Sequence, residues 1–168
     1  MLRHLRSLVW VGRRDPALFL LALHVGVLLT LTRGIIRILP MRSITRFLGT
    51  AMQESPVDGL NPDELRYVRR VRWTIEKLAP HTPTESNCYP QALTARWLLH
   101  RRGISSTVYY GATFEPGRPS LEGHVWMRSG HLIVTGGASS SRYTPLSYFA
   151  DDPGGSPRCV CSRWRWRQ

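Results

Sequence analysis

Cys88 and His124 are the residues whose types could carry covalent chemistry. The cysteine stands in "ESNCYP" and the histidine in "EGHVWMRSG", 36 positions later. An imidazole beside a thiol takes its proton, and the thiolate can then attack a carbonyl carbon. Pro90 follows the cysteine closely, and a proline inside a helix is comfortable only in the first turn. Cys88 is therefore expected at a helix N-terminus. There the helix dipole favours a thiolate, and first-turn N–H groups can hold an oxyanion. The plain alternative is a buried cysteine and a hydrogen-bonded histidine, which is the commoner fate of such a pair.

The elements that must position this pair follow from periodicity. "CYPQALTARWLLHRRG" reads as a helix with Ala92, Ala95 and Leu99 on one stripe, Leu93 and Trp97 beside it, and a stop at Gly103. Arg101 and Arg102 fall in its last turn, where the dipole favours cations. "STVYYGATF" alternates as a strand, "EPGRPSLEG" as a turn, and "HVWMRSGHLIVTGG" as a hairpin turning at Ser129-Gly130. The expected arrangement is α+β, with the cysteine helix packed on a three- or four-stranded antiparallel sheet. Cys88 Sγ and His124 should then lie within hydrogen-bond reach after a modest adjustment.

The N-terminal half reads as helical scaffold. Ala17 to Leu31 is an apolar run of 15 residues holding His24, preceded by Arg13 and Arg14 and followed by Arg33. A spanning helix needs about 20 apolar residues, so a packed helix, or one lying on a membrane surface, is expected. "RGIIRILPMRSITRFLG" reads as two basic amphipathic helices broken at Pro40, with Arg33/Arg37 and Arg42/Arg46 spaced i,i+4. "MQESPVDGLNPDEL" looks like a polar linker. Asn61 then caps a helix with Pro62 at its first position and Asp63 and Glu64 in its first turn. The expected division is a helical region over 1–80, a core over 81–150 and a basic tail over 151–168.

Composition sets the outer limits. A chain of 168 residues fits one domain. The net charge is +12, and of the 23 basic residues only Lys77 is lysine. Such a charge suits an acidic partner or a solvated basic surface, and no nucleic-acid motif accompanies it. Three cysteines without a clear secretory signal point to a reducing, cytoplasmic setting. Cys159 and Cys161 form a C-x-C without neighbouring histidines, which is too few ligands for zinc, so no metal is expected.

The combination "NCYPQALTARWLLHRRGISSTVYYGA", "EGHVWMRSGHLIVTGG" and "RYTPL" resembles the transglutaminase-like protease region of lasso-peptide maturation proteins, the leader peptidases called B proteins. The matching positions are Cys88, Ala92-Leu93, Leu98-Leu99, Gly103-Ile104, His124, Trp126, Gly130 and Val134 to Gly137, within about residues 85 to 148. The N-terminal helices look like the lead-in of the stand-alone form. The resemblance implies a papain-like fold and a cofactor-free bacterial cysteine peptidase acting on a ribosomally made precursor. Cys88 would attack at the leader–core junction, with His124 as base and then acid. It also implies two partners, a separate leader-recognition protein and an ATP-dependent cyclase.

The family's third catalytic residue is usually an aspartate about a dozen positions after the histidine. Here that place reads "VTGG", and no acid follows His124 until Asp151. Thr135 or a backbone carbonyl could orient His124, Asp151 or Asp152 could swing in from a C-terminal loop, or the protein is a weak or inactive relative that binds the precursor. Glu122, on the same strand face as His124, is a further orienting candidate. A rival reading is a basic protein on a membrane surface, using the arginine-rich helices and the tail "RWRWRQ" with Trp164 and Trp166.

Overall fold

Asp15 starts the first helix by accepting a hydrogen bond from the Leu18 N–H at 3.0 Å, with Pro16 at the first helical position. This computed structural model describes residues 15–81, 87–114 and 121–153. Arg13, Arg14, the loop before Asn87, most of the "EPGRPSLEG" turn, Cys159, Cys161 and the Arg/Trp tail lie outside them.

Helix α1 spans Pro16–Ile38, 23 residues, or about 34 Å at 1.5 Å per residue. It outruns the apolar stretch because arginine is a good helix former, so Arg33 does not stop it. By length and composition alone it could cross a membrane, and the expected shortfall of about five residues is corrected. Pro40 forces the break: Leu39 is extended, and the short α2 follows at Met41–Thr45. Next comes β1, Thr50–Ala51, a strand inside the region expected to hold only helices and a linker. Two residues are too few for alternation to show, and only pairing to a distant strand creates it.

The stretch expected to be a linker is bonded to the sheet. Ser55 is buried, and both its N–H and its hydroxyl meet Thr107 Oγ1 at 2.8 Å. Arg128, also buried, donates to the carbonyls of Ser55 at 3.0 Å and Gly130 at 2.8 Å. Helix α3, Pro62–Leu78, starts with the full capping box: Asn61 accepts from the Asp63 and Glu64 N–H groups, and Glu64 accepts from the Asn61 N–H. Helix α4, Cys88–His100, completes the scaffold.

Four further strands follow: β2 Ser106–Thr113, β3 Glu122–Ser129, β4 Leu132–Thr135 and β5 Thr144–Asp151. The sheet order is β1-β5-β2-β3-β4, and every pair is antiparallel. Residue 151 thus ends a strand rather than sitting in a loop. Pro145 hid β5 from sequence reading, since proline argues against a strand. It is tolerated here because it sits at the irregularity where the β2–β5 register shifts near Gly111.

One apolar core serves helices and sheet alike. Val25 and Leu29 of α1, Val71 and Ile75 of α3, and Ala95 and Leu99 of α4 join Val108, Val125 and Met127 of the sheet. The boundary expected near residue 80 therefore divides no core. Strand alternation sends Tyr109 and Trp126 to the other face, where they cluster with Tyr143 and Tyr148.

The C-terminal half of α4 is clasped to β5. Asp151 is buried and takes Arg96 Nη2 at 3.2 Å and His100 Nδ1 at 2.9 Å, while Arg96 Nε donates to the Leu48 carbonyl at 3.2 Å. Burial lowers the Arg96 pKa, and the Asp151 charge opposes that. Removing one partner of a buried pair leaves the other charge uncompensated. Asp151→Asn is therefore expected to cost about 2–4 kcal/mol of unfolding free energy, read by denaturant titration. A change near the about 0.5 kcal/mol typical of surface substitutions would contradict it.

Candidate active site

Cys88 is the first residue of α4. Asn87 before it is extended, its side chain caps no N–H group, and the first turn holds no acidic residue. The positive end of the helix is thus left to the half-buried thiol and to whatever binds beside it. Cys88 packs against the core together with Tyr89 and Tyr110, whose rings meet edge-on at 5.6 Å. The Tyr89 hydroxyl donates to the Met41 sulfur at 3.1 Å, which ties the start of α4 to α2. Burial drives the Tyr110 phenol far above its ordinary pKa, with Tyr89 and Cys88 adding to the effect. It stays a neutral phenol, and by geometry its buried oxygen makes no hydrogen bond of normal length and angle among the described residues.

His124 lies on β3 opposite Gly111 of β2. Its ring stacks on Tyr143, with centroids 4.7 Å apart, and lies 6.0 Å from the Trp126 ring. Gly111 makes room for this stack: a Cβ there would come within 2.7 Å of the Trp126 ring. His124 Nε2 is 2.8 Å from the carbonyl oxygen of Gly136 and 3.4 Å from Ser139 Oγ. A carbonyl can only accept, so the Nε2 facing it carries the proton, and Nδ1 of the neutral ring keeps a lone pair. Gly136 can present its carbonyl there because it adopts φ +71°, and a Cβ would stand 2.6 Å from the Val125 carbonyl oxygen.

Glu122 acts one step removed. It accepts a hydrogen bond from the Tyr143 hydroxyl at 2.7 Å and so holds the ring that covers His124. That bond raises the Tyr143 pKa, burial and the Glu122 charge add to it, and Arg142 opposes it.

The structure brings Cys88 and His124 to one end of the sheet without joining them. Tyr110, beside Cys88, neighbours Gly111, the residue paired with His124. No hydrogen bond links thiol and imidazole as the side chains stand. The reason is alternation: Val125 and Met127 face the core that α4 covers, which sends His124 with Trp126 to the aromatic face.

None of Thr135, Asp151 and Asp152 hydrogen-bonds to His124. The Thr135 hydroxyl is buried without a hydrogen-bond partner among the described residues, and the next residue's carbonyl makes the contact instead. Asp151 is held by Arg96 and His100, and Asp152 by the Ser105 hydroxyl. Ser139 gave no signal in the sequence, since a serine in a serine run is unremarkable, and Tyr143 stood within "RYTPL" without being singled out. Among the described residues, no group of three or more His, Cys, Asp or Glu could hold a metal ion.

Thr135→Val tests the negative finding. It replaces an unsatisfied buried hydroxyl with a methyl of similar shape. Thermal melting should show stability unchanged or raised by about 1 kcal/mol. Any catalytic activity should also be unchanged, and a severe loss would return the hydroxyl to the site.

The transglutaminase-like superfamily model matches residues 29–148, well over half of the chain, from within α1 to within β5. The match contains Cys88, His124 and Gly136. No curated protein matches the chain, and no solved structure does.

Proposed function

Because the chain belongs to the transglutaminase-like superfamily, which includes cysteine peptidases, we propose that it is a leader peptidase. Its substrate would be a ribosomally made lasso-peptide precursor, cut before a separate ATP-dependent cyclase closes the ring. The motif resemblance around Cys88 and His124 supports the substrate class. The observation that carries the chemistry is the Gly136 carbonyl on His124 Nε2, which leaves Nδ1 basic.

This reading requires thiol and imidazole to meet in the substrate complex, around the end of the sheet where Tyr110 and Gly111 lie side by side. Cys88 Sγ loses its proton to Nδ1 and attacks the carbonyl at the leader–core junction. First-turn N–H groups of α4 receive the oxyanion. The imidazolium then protonates the leaving amine, the new N-terminus of the core. Water, deprotonated by the same imidazole, hydrolyses the thioester and releases the leader as a carboxylate. A leader-recognition protein presents the precursor, and the cyclase takes the freed amine.

A second reading rests on the same geometry. A neutral carbonyl stabilises an imidazolium less than a carboxylate does, and thiol and ring are unjoined. Both features also suit a protease-like module that holds the precursor without cutting it. Mass spectrometry of precursor incubated with this protein and a leader-binding partner separates the two. A leader fragment and a core fragment are expected, and intact precursor retained in a complex would favour the module.

A further inference from the structure

The outward face of α1 is as apolar as its inward face. Ala22, Val25, Leu29 and Thr32 are buried, with Val25 and Leu29 deep in the core shared with α3 and α4. On the opposite side Leu20, Leu23, Val27, Leu31 and Ile38 are each more than half exposed. These recur at steps of three, four, four and seven residues, so they form one stripe along the helix. Beside it, Phe19 and Leu78 flank an open apolar groove of about 490 Å³ against α3. Just past α1, Phe47 is 70% exposed. So long an aliphatic surface marks a contact with something.

Charge identifies what. Between Asp15 and Glu54 the chain holds no acidic residue and four arginines, Arg33, Arg37, Arg42 and Arg46. The last three are exposed, so the C-terminal end of the stripe is cationic. The stripe itself lacks the tyrosine, tryptophan and arginine anchors that dominate protein interfaces. A continuous aliphatic band beside a purely cationic end fits acyl chains and anionic headgroups. Spanning is a poorer fit, because it would strip Val25 and Leu29 from the core they share with α3 and α4.

We propose that the outward face of α1, with Arg37, Arg42 and Arg46, seats the protein on the surface of a bilayer containing anionic lipid, the helix lying in the interface plane. The inference is independent of the catalytic reading: vesicle binding and precursor cleavage are separate measurements.

The test is co-sedimentation of the full chain with vesicles of equal parts phosphatidylcholine and phosphatidylglycerol, and with pure phosphatidylcholine. Binding to both is expected, stronger to the anionic vesicles and weakened by salt. Leu23→Asp with Val27→Asp should lower partitioning about a hundredfold or more, since two apolar side chains are lost from the contact. Both positions face solvent, and an unchanged melting curve verifies the fold. Arg37→Glu with Arg42→Glu should remove the preference for phosphatidylglycerol and leave binding to phosphatidylcholine. This pair keeps the test decisive should the aspartate pair fail to fold. Wild-type protein left in the supernatant with both vesicles would overturn the proposal. So would a wild-type dimer that Leu23→Asp disperses, which would make the face an interface between copies. Protein that resists alkaline carbonate extraction would show a spanning helix and overturn the in-plane arrangement.

Discussion

Cys88→Ala should abolish release of the leader while the precursor still binds. Alanine removes the sulfur and little else from a half-buried position at the start of α4. No side-chain hydrogen bond to a described residue is lost, and alanine is a good helix former, so the fold should hold. What disappears is the only thiol among the described residues, and without it no thioester can form there. Mass spectrometry should find no leader fragment over an incubation in which wild type is complete, and a pull-down should recover equal precursor with both proteins. Cleavage that persists in Cys88→Ala would end the peptidase reading.

His124→Ala should be almost as severe, slowing cleavage by about 10²–10⁴-fold, the usual worth of a positioned acid–base group. The loss has two parts. The thiol keeps its proton for want of Nδ1, and the leaving amine finds no acid. Structure should suffer less, since the ring's packing consists of stacking on Tyr143 and Trp126 and one bond to a carbonyl. A separate readout distinguishes chemistry from collapse. Raising the pH should recover part of the nucleophilic step in His124→Ala, because hydroxide can deprotonate the thiol, whereas an unfolded variant would gain nothing. A wild-type rate in His124→Ala would remove the residue from the mechanism.

Much of the site's framework was legible in the residues. Pro90 two places after Cys88 marked the helix start, and the turn at Ser129-Gly130 marked the hairpin. Asn61, Pro62 and Glu64 spelled out the capping box of α3. What escaped were features made by distant pairing. β1 exists only because Thr50 and Ala51 lie against Ala150 and Phe149. β5 was masked by Pro145, whose defect is absorbed by the irregular pairing near Gly111. The facing of His124 was readable from alternation, yet the side of β3 that α4 covers was not, because only packing decides which alternate set turns inward. After His124, the shortest hydrogen bond to the ring comes from the Gly136 carbonyl, one of the options the sequence left open, with the Ser139 hydroxyl farther off.

That last point reaches beyond this chain. Where a carboxylate orients a catalytic ring, its role is inherited as a letter of the sequence, and one codon change deletes it. Here the orienting group is the peptide carbonyl of Gly136, which every amino acid possesses. The trait is stored in the path of the main chain, in the turn that Gly136 can make and in the lack of a side chain that would strike Val125. Comparison of homologues by residue identity would record an empty position where the main chain makes the hydrogen bond.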